Sequence, residues 1–321
     1  MKVSVVIPTC KRRHLLERCV KALMRQKFAA TAYEVIVADN AGEAGLEGFI
    51  SSLATQTDVQ LRYVWAASKR GPAHARNIGW QAAKGEIIAF TDDDCIPDEH
   101  WLAEAVKLFE DREGIAVVTG RTQVPLPPFP TDYELNASYL ATAEFITANC
   151  FCRRHCLEVT GGFDERFVAA WREDADLHFK LLKHRFTIVR AQEAVVVHPV
   201  RPGHFGISVR QQRKIMFDAL LFKNHPELFC PKPRACVRRY YYTLGAFLLA
   251  TLLTSVGYGG AATAFFCLSL FWTAMFCYER LKATSRSPLH IFEMVVTSIL
   301  IPPTAIFWRI YGGIKFGVFF Y

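Results

Sequence analysis

The stretch Glu86–Pro97 reads EIIAFTDDDCIP and decides the predicted fold. Its first half contains Ile87–Phe90, a continuous apolar run between a glycine and a group of acids. Such a run is typical of a short strand that is buried on both faces. Three carboxylates, Asp92–Asp94, follow at once. Because open α/β sheets bind ligands beyond the carboxyl ends of their strands, the stretch predicts a central strand followed by a binding site.

The three adjacent acids admit two interpretations. Neighbouring carboxylates repel one another, so a cation or solvent is needed to hold them together. Mg²⁺ or Mn²⁺ meets this need, because both are hard ions that prefer oxygen ligands and bridge to phosphates. The alternative is an acidic turn that caps the next helix, whose first turn holds Asp98 and Glu99. These residues alone leave both interpretations open.

Strand and helix patterns alternate on both sides of this stretch. Short β-branched runs predict strands, and apolar residues at helical spacing predict helices between them. The predicted strands are Lys2–Pro8, Tyr33–Ala38, Val59–Trp65, Ile115–Gly120 and Ala194–Val197, and the predicted helices are His14–Gln26, Leu46–Leu53, Arg70–Ala83, Trp101–Arg112 and Ser208–Phe222. This alternation predicts an α/β fold with a mostly parallel sheet, interrupted by the irregular PLPPFP segment at 125–130.

Polar residues follow three of the predicted strands. Thr9, Asp39 and Asp92–Asp94 each come directly after an apolar run. The carboxyl ends of parallel strands share one edge of a sheet, so these residues are expected to line one crevice. A second acidic cluster, Glu173–Asp176, comes later in the chain. Neither GxGxxG nor GxxxxGK[ST] is present, which argues against a dinucleotide enzyme or a P-loop NTPase.

The ten cysteines show no disulfide framework of the kind that secreted domains carry. Four potential metal ligands do cluster in CFCRRHC, namely Cys150, Cys152, His155 and Cys156. Zinc binding is one interpretation, but the usual second pair of ligands is missing. We interpret the cysteines instead as buried or half-buried reduced thiols.

The carboxyl-terminal third is unusually apolar. The chain is 51% hydrophobic, and the stretch Tyr240–Tyr278 contains no Asp, Glu, Lys or Arg. Its length predicts two membrane helices, about 240–258 and 261–278. A third apolar segment, about 290–308, is interpreted as re-entrant or interfacial, with a third membrane span as the alternative. The amino terminus does not resemble a signal peptide, so the first domain is expected to stay in the cytoplasm.

The net charge of +8 is concentrated in the same third. From position 201 onward there are 14 Lys and Arg against 4 Asp and Glu, a balance of +10. Basic flanks of membrane helices favour the cytoplasmic side and an anionic membrane surface. The predicted helix Ser208–Phe222 has a basic first half and an apolar second half, which is typical of a helix lying on a membrane. Nucleic acid is not an expected partner, since no aromatic-basic motif of that class is present.

Five stretches, taken together and in order, give the first 225 or so residues a resemblance to family 2 glycosyltransferases. They are VSVVIPTCKR, VIVADN, GPAHARNIGWQAAKGEIIAFTDDD, GGFDERF and REDADL. The resemblance implies the GT-A fold, a Rossmann-like α/β fold, for a catalytic domain over residues 1–225. The last hundred residues match only the habit of such enzymes to carry carboxyl-terminal membrane segments, here a region over 226–321.

The resemblance assigns a nucleotide-sugar donor to residues that follow the predicted strands. The donor is expected to be a UDP-, GDP- or dTDP-sugar. Asp39 matches a residue that accepts a hydrogen bond from the base, and Thr9 contacts the nucleoside beside it. The further residues expected to bind the donor are Pro8, Arg76, Asn77, Asp92 and Asp93.

The resemblance also implies a metal site and a base. Asp92 and Asp94 are the outer acids of a DxD motif, and His198 matches a histidine that often completes the metal shell around Mg²⁺ or Mn²⁺. Cys95 stands where many relatives have a further acid. Asp174 matches the catalytic base.

These roles imply an inverting, metal-dependent glycosyltransferase on the cytoplasmic face of the inner (plasma) membrane. Its acceptor is expected to be a hydroxyl of a lipid-linked or membrane-proximal glycan. Arg210–Lys214 only loosely matches the QxxRW motif of processive synthases, because Lys214 replaces the tryptophan. One alternative is transfer to a polyprenyl phosphate. Another is an inert membrane protein that binds glycans, against which the intact DxD and Glu173–Asp174 motifs argue.

Overall fold

The computed structural model describes residues 1–67, 71–229 and 235–319, without the side chains of 235–237. The chain divides into two compact units. The first unit comprises Met1–Pro125 and Ser138–Val200, and the second comprises Leu126–Ala137 and the chain from Arg201 onward. The predicted division of function at residue 225 stays a prediction.

An eight-stranded sheet forms the centre of the first unit. Its strands are β1 (Val3–Thr9), β2 (Tyr33–Asp39), β3 (Gln60–Trp65), β4 (Ile87–Phe90), β5 (Ile96–Pro97), β6 (Ile115–Gln123), β7 (Cys150–Arg153) and β8 (Thr187–Val197). They lie in the order β3-β2-β1-β4-β7-β6-β8-β5. The first four strands pair in parallel, whereas β7 runs antiparallel to β4 and β6. The predicted α/β class is confirmed, with a mixed sheet.

The helices alternate with these strands in the first unit and dominate the second. In chain order they are α1 (Arg13–Leu23), α2 (Leu46–Ala54), α3 (Pro72–Ala82), α4 (Trp101–Asp111), α5 (Asp132–Ser138), α6 (Arg154–Thr160), α7 (Glu173–Lys183), α8 (Ile207–Gln211), α9 (Met216–Asn224), α10 (Ala235–Ser255), α11 (Gly259–Leu281) and α12 (Pro288–Phe316). The expected start of α3 at Arg70 lies outside the described residues.

The central strand is buried on both faces, as its apolar run predicts. All four residues of β4 are buried, and so is the whole of β1 beside it. Ala89 packs into one hydrophobic cluster, while Ile88 and Phe90 pack into another on the opposite face. This two-sided core is what holds the acids after Phe90 at a definite place on the edge of the sheet.

The cysteine-rich stretch CFCRRHC forms β7 and the start of α6, a strand that the sequence patterns did not predict. Cys150, Cys152 and Cys156 are fully buried, whereas His155 is exposed. Within the described ranges, the side chains with metal-ligand spacing form one cluster elsewhere. The zinc interpretation therefore finds no support here, and the thiols act as small apolar core groups.

In the second unit, the predicted single helix Ser208–Phe222 is wrong in detail. It is broken into α8, a 3₁₀ turn at Gln212–Ile215, and α9. The apolar half, α9, packs on α12, where Gly312 allows close approach: a Cβ there would lie 2.4 Å from the carbonyl oxygen of Met216. The apolar residues of α9 are thus covered by protein, which leaves the basic half as the part that can face a membrane.

Among the described residues, two helices of this unit are long and apolar enough to cross a membrane, α11 and α12. The predicted membrane helix at about 261–278 lies within α11, whereas the one at about 240–258 lies mostly in α10, which is not one of the two. Only 22% and 39% of their most apolar windows are buried, so their apolar faces are largely open. The third apolar segment does not turn back, because α12 runs continuously through Pro302 and Pro303. The re-entrant interpretation is therefore wrong, and the choice between an interfacial helix and a third span stays open.

A buried arginine joins four segments of the second unit. Arg280, in α11, donates from Nη1 to the hydroxyls of Thr297 and Ser298 at 2.7 and 3.0 Å. Its Nη2 donates to Asp132 at 2.8 Å and to Ser208 at 3.2 Å. The charge of Arg280 is thus neutralised inside the unit, and its hydrogen bonds connect α5 and α8 to α11 and α12.

Candidate active site

The carboxyl ends of β1 and β2 lie side by side at one edge of the sheet. Thr9 and Asp39 are register partners at the last position of these strands, one step beyond Pro8 and Ala38. Thr9 is buried, and its Oγ1 donates a hydrogen bond to Oδ2 of Asp93 at 2.8 Å. The parallel register therefore brings the predicted nucleoside-binding residues to the acids that follow β4.

Asp39 is fully buried and already engaged by the protein. Its Oδ1 accepts from the N–H of Ala41 at 2.8 Å, and its Oδ2 accepts from the N–H of Glu43 at 2.6 Å and from the hydroxyl of Tyr63 at 3.1 Å. An Asp that bonds the backbone two residues on shapes a turn. Asp39 thus fixes the loop after β2, and its contact with a nucleobase stays a prediction.

Asp93 is buried between two groups from the first strand and the loop after it. Besides Thr9, Arg12 contacts it, with Nη1 donating to Oδ1 at 2.9 Å. Burial raises the pKa of Asp93, although the Arg12 charge opposes this shift. Sequence reasoning missed Arg12. The signal was the basic run Lys11–Arg13 directly after β1.

Asp94 and His198 meet although they follow different strands. The Nε2 atom of His198 lies 3.5 Å from Oδ1 of Asp94, and the backbone N–H of His198 donates to the carbonyl of Gln123 at the end of β6. The ligand atoms of Asp94, His198 and Cys95 lie within 4.8 Å of one another. A carboxylate suits Mn²⁺ or Mg²⁺, an imidazole suits softer divalent ions better than Mg²⁺, and a thiol suits neither Mn²⁺ nor Mg²⁺. Burial raises the pKa of the Cys95 thiol well above its usual value.

Asp92 points in another direction, toward Arg76 on α3. The Nη2 atom of Arg76 donates to Oδ1 of Asp92 at 2.7 Å, and its Nη1 donates to Oε1 of Glu173 at 3.1 Å. Burial opposes both charges, but the attraction outweighs it, so the pKa of Asp92 falls and that of the guanidinium rises. Among the described residues, Asp92 lies outside the metal-ligand cluster, so its metal contact stays a prediction.

Glu173 and Asp174 begin α7, directly after Arg172, which adopts φ 74°. Glu173 is buried, and burial together with the neighbouring charge of Asp174 raises the pKa of Glu173 to about 7. Asp174 is half-buried, and its Oδ1 accepts from the N–H of Ala175 at 2.7 Å. Burial raises the pKa of Asp174 also. A carboxylate with a raised pKa takes up a proton near neutral pH more readily.

Asn77 forms its hydrogen bonds with the glycine-rich turn before α7 and not with the acids after β4. Its Nδ2 donates to the carbonyl of Phe163 at 2.9 Å and to Glu165 at 3.0 Å, and its Oδ1 accepts from the N–H of Phe163 at 2.9 Å. Gly162 has φ 65°, and a Cβ there would lie 2.7 Å from Oδ1 of Asn77. The same turn contacts His74, whose Nδ1 lies 2.9 Å from Oε2 of Glu165. Asn77 thus positions a loop, and its contact with a diphosphate stays a prediction.

Two family models match the chain. Residues 4–155 match the one described as glycosyl transferase family 2. Residues 87–310 match the one described as glycosyl transferase family group 2, which is more than half of the chain. The two matches together span residues 4–310, which contain the whole sheet except Val3 and all the site residues described above.

Curated relatives carry related names. Glycosyltransferase AglE of Haloferax volcanii is 27% identical over 224 residues, which cover 66% of this chain and 71% of the relative. A Campylobacter jejuni enzyme named GalNAc(5)-diNAcBac-PP-undecaprenol beta-1,3-glucosyltransferase is 32% identical over 93 residues, 29% of each chain. The match thus spans most of the first relative and less than a third of the second.

Solved structures share the fold at low sequence identity. A mannosyltransferase from Pyrobaculum calidifontis, in complex with GDP-Man and Mn²⁺, has a TM-score of 0.61 at 18% identity and covers 97% of this chain and 87% of its own. The 1–349 fragment of S. aureus TarS, in complex with UDP, has a TM-score of 0.51 at 18% identity, with 97% and 92% covered. These similarities confirm the predicted GT-A fold.

Proposed function

The chain belongs to the family 2 glycosyltransferases, and from that premise we propose that it is an inverting, metal-dependent enzyme. It transfers one sugar from a UDP-, GDP- or dTDP-sugar to a hydroxyl of a lipid-linked or membrane-proximal glycan. The observation that carries the proposal is the pairing of Arg76 with both Asp92 and Glu173, because it holds two acidic groups with different tasks within one site. Asp92 would serve the donor side, and Glu173 would hold its neighbour Asp174 on the acceptor side.

The donor side is served by residues at the carboxyl ends of β1, β2 and β4. A sugar nucleotide leaves behind a diphosphate that carries several negative charges. Asp94 and His198 would hold Mg²⁺ or Mn²⁺, which supplies positive charge to the diphosphate as the glycosidic bond breaks. Thr9, Asp93 and the loop shaped by Asp39 would support the nucleoside.

The acceptor side depends on Asp174. A hydroxyl is a weak nucleophile at neutral pH, so a carboxylate that takes its proton speeds attack by roughly 10²–10⁴-fold. The hydroxyl oxygen forms the new bond to the anomeric carbon as the bond to the donor phosphate breaks. The proton goes to Asp174, and the electron pair of the broken bond leaves with the diphosphate. A single displacement of this kind inverts the anomeric configuration.

The membrane-linked part of the proposal rests on the second unit. Helices α11 and α12 have largely open apolar faces, and Arg309 and Lys315 lie near the end of α12. Basic residues prefer the cytoplasmic side, which would put the catalytic residues at the inner face of the plasma membrane. The Campylobacter relative is named for an undecaprenol-linked glycan, and we propose the same class of acceptor here.

The test uses the full chain in detergent or lipid discs. Thermal shift with UDP-, GDP- and dTDP-sugars plus Mn²⁺ is expected to identify one donor, since a ligand that binds the folded state raises apparent stability. That donor should then label a lipid-linked glycan, with loss of transfer on EDTA addition and recovery with Mn²⁺. NMR of the product should show an anomeric configuration opposite to that of the sugar in the donor. Transfer that survives EDTA would refute metal dependence, and retained configuration would refute inversion.

A second experiment tests the membrane assignment. The full chain should float with phosphatidylglycerol-containing vesicles in a density gradient and resist extraction by alkaline carbonate. A cysteine introduced at Lys107, an exposed position in α4, should react with a membrane-impermeant maleimide, above the labelling of the wild type, only after spheroplasts are opened. Labelling at this position in intact spheroplasts would place the catalytic residues outside and refute the cytoplasmic orientation.

A further inference from the structure

We propose that Arg76 is a positioning residue for sugar transfer: its buried guanidinium bridges Asp92 and Glu173 and so holds Asp174 at a set distance from the donor-binding acids. This inference rests on the proposed function and concerns the same site. It differs from the role that the family resemblance implies for Arg76, which is a contact with the diphosphate of the donor.

The guanidinium of Arg76 is buried between the two acids that it links. Arg76 is 2% exposed, its Nη2 donates to Asp92 at 2.7 Å, and its Nη1 donates to Glu173 at 3.1 Å. The ring of Phe163 lies 5.7 Å from Cζ and covers the guanidinium. Both terminal nitrogens are therefore engaged by carboxylates, and water has little access to them. Nε is buried and has no hydrogen-bond partner among the described residues.

The two acids that Arg76 joins come from segments far apart in the chain. Asp92 follows the central strand β4, and Glu173 begins α7, one residue before Asp174. Neither segment belongs to the same strand pair or helix as the other. A planar guanidinium can donate in two directions at once, whereas the ammonium of a lysine is a single point charge. The residue type thus matches the task of holding two segments at one spacing.

The neighbouring residue on α3 supports the same reading. Asn77 is hydrogen-bonded to Phe163 and Glu165 in the turn before α7. Arg76 is hydrogen-bonded to Glu173, the first residue of α7. One helix therefore anchors the segment 162–173 at both ends. The consequence is that Asp174 cannot move relative to the donor-binding acids without breaking buried polar contacts, which is costly.

A buried arginine between two acidic side chains is an expensive way to stabilise a fold. Desolvation of the guanidinium and of the acids offsets much of their attraction, and apolar side chains of similar volume often stabilise a core equally well. The bridge is better explained by geometry: a displacement of about 1 Å in a reacting group can cost about 100-fold in rate. We therefore expect Arg76 to act on the rate of transfer more than on donor affinity.

The first test compares Arg76→Lys and Arg76→Gln with the wild-type full chain. Both variants should lower kcat by about 100-fold, the loss that a displaced reacting group can produce. The Kd of UDP or GDP with Mn²⁺ should stay near the wild-type value. Glu173→Ala, which removes the acceptor, should lower kcat as well, and adding it to Arg76→Gln should cause little further loss because both changes break one bridge. If Arg76 instead contacts the diphosphate of the donor, its variants should bind UDP or GDP more weakly than the wild type. The losses in kcat from the Arg76 and Glu173 changes should then be additive.

Arg62→Lys is the matched control. Arg62 also forms a part-buried pair, donating to Glu34 at 2.8 Å, but it lies at β3, away from the acids. The change should lower the apparent Tm while leaving kcat unchanged. If Arg62→Lys lowers kcat as much as Arg76→Lys does, the effect is one of general stability and the proposal is wrong.

Hydrogen exchange provides a readout that needs no activity. Arg76→Lys should increase amide exchange in peptides covering 91–98 and 170–178 together, while the peptide of β2 stays protected. Faster exchange in only one of the two peptides, or in neither, would overturn the bridge. A wild-type chain that transfers from no sugar nucleotide would refute the proposed function instead, and the exchange result would still decide the role of Arg76.

Discussion

The Nε2 atom of His198 lies 3.5 Å from Oδ1 of Asp94, although α4, β6, β7 and α7 separate the two residues in the chain. The contact forms because β5, which begins two residues after Asp94, pairs antiparallel with β8, and Ile96 is the register partner of Val197, the residue before His198. A carboxylate and an imidazole at this spacing suit a divalent ion.

His198→Ala is expected to weaken Mn²⁺ binding by at least about 10-fold, the lower end of the losses seen when a metal site is disturbed. The reason is the loss of the one imidazole in the cluster of Asp94, Cys95 and His198. Mn²⁺ affinity can be measured by EPR in the presence of UDP. His100→Ala is the control, because His100 is exposed beside Asp98. Equal Mn²⁺ affinities for the wild type and both variants would show that His198 does not bind the metal.

Asp174→Asn is expected to lower the rate of transfer to a hydroxyl by about 10²–10⁴-fold, the usual contribution of a positioned base. Binding of the donor nucleotide should persist, because the amide keeps the shape of the side chain. Steady-state transfer and calorimetry measure the two effects separately. Asp111→Asn, at an exposed position in α4, serves as control. Full activity of Asp174→Asn toward a polyprenyl phosphate would favour the phosphate-acceptor alternative.

Glu173 is expected to make stability depend on pH. Its pKa is raised to about 7 from an ordinary 4.5, by burial first and then by the charge of Asp174. Between those values the folded protein holds a proton that the unfolded chain has released, so stability falls as pH rises through this window. Each pKa unit between the folded and the unfolded state corresponds to about 1.4 kcal/mol in the free energy of unfolding.

The measurement is apparent Tm against pH, for the wild type and for Glu173→Gln, which cannot ionise. The Tm difference, variant minus wild type, should increase from about pH 5 to about pH 7 and then level off. Glu158→Gln, at an exposed position in α6, should follow the wild type. Parallel curves for the wild type and Glu173→Gln would show that Glu173 is ionised throughout, contrary to the expectation.

Asn77→Ala is expected to destabilise the first unit. The change leaves the buried N–H of Phe163 and the indole N–H of Trp80 without their acceptor, and each such loss costs about 1–3 kcal/mol. Differential scanning fluorimetry should show a lower apparent Tm. Asn136→Ala, at an exposed position in α5, should leave the Tm unchanged. A Tm for Asn77→Ala equal to that of wild type would mean that the turn is held by other contacts.

Local patterns were sufficient for much of the fold. The apolar runs of β1, β2 and β4 predict buried strands, and these strands end within a residue of the expected positions. Polar residues after such runs lie at one edge because parallel strands share their direction. The prediction of Thr9, Asp39 and the acids as neighbours follows from that rule alone, without knowledge of the strand order.

Other elements lacked a local signal. β7 is a short strand of cysteines and one phenylalanine whose position depends on antiparallel pairing with β4 and β6. The break between α8 and α9 likewise depends on packing against α12 near Gly312. Pairing and packing between distant segments decide such features, and a short window of sequence does not contain them.

The sequence by itself determined that Asp92–Asp94 follow a buried strand and that a second acidic cluster exists at Glu173–Asp174. Only the tertiary structure decided how the side chains pair: Asp93 with Thr9 and Arg12, Asp94 with His198, and Asp92 with Arg76. The physical reason is that strand order and burial choose the partner of a charged group, whereas the spacing of residues along the chain does not.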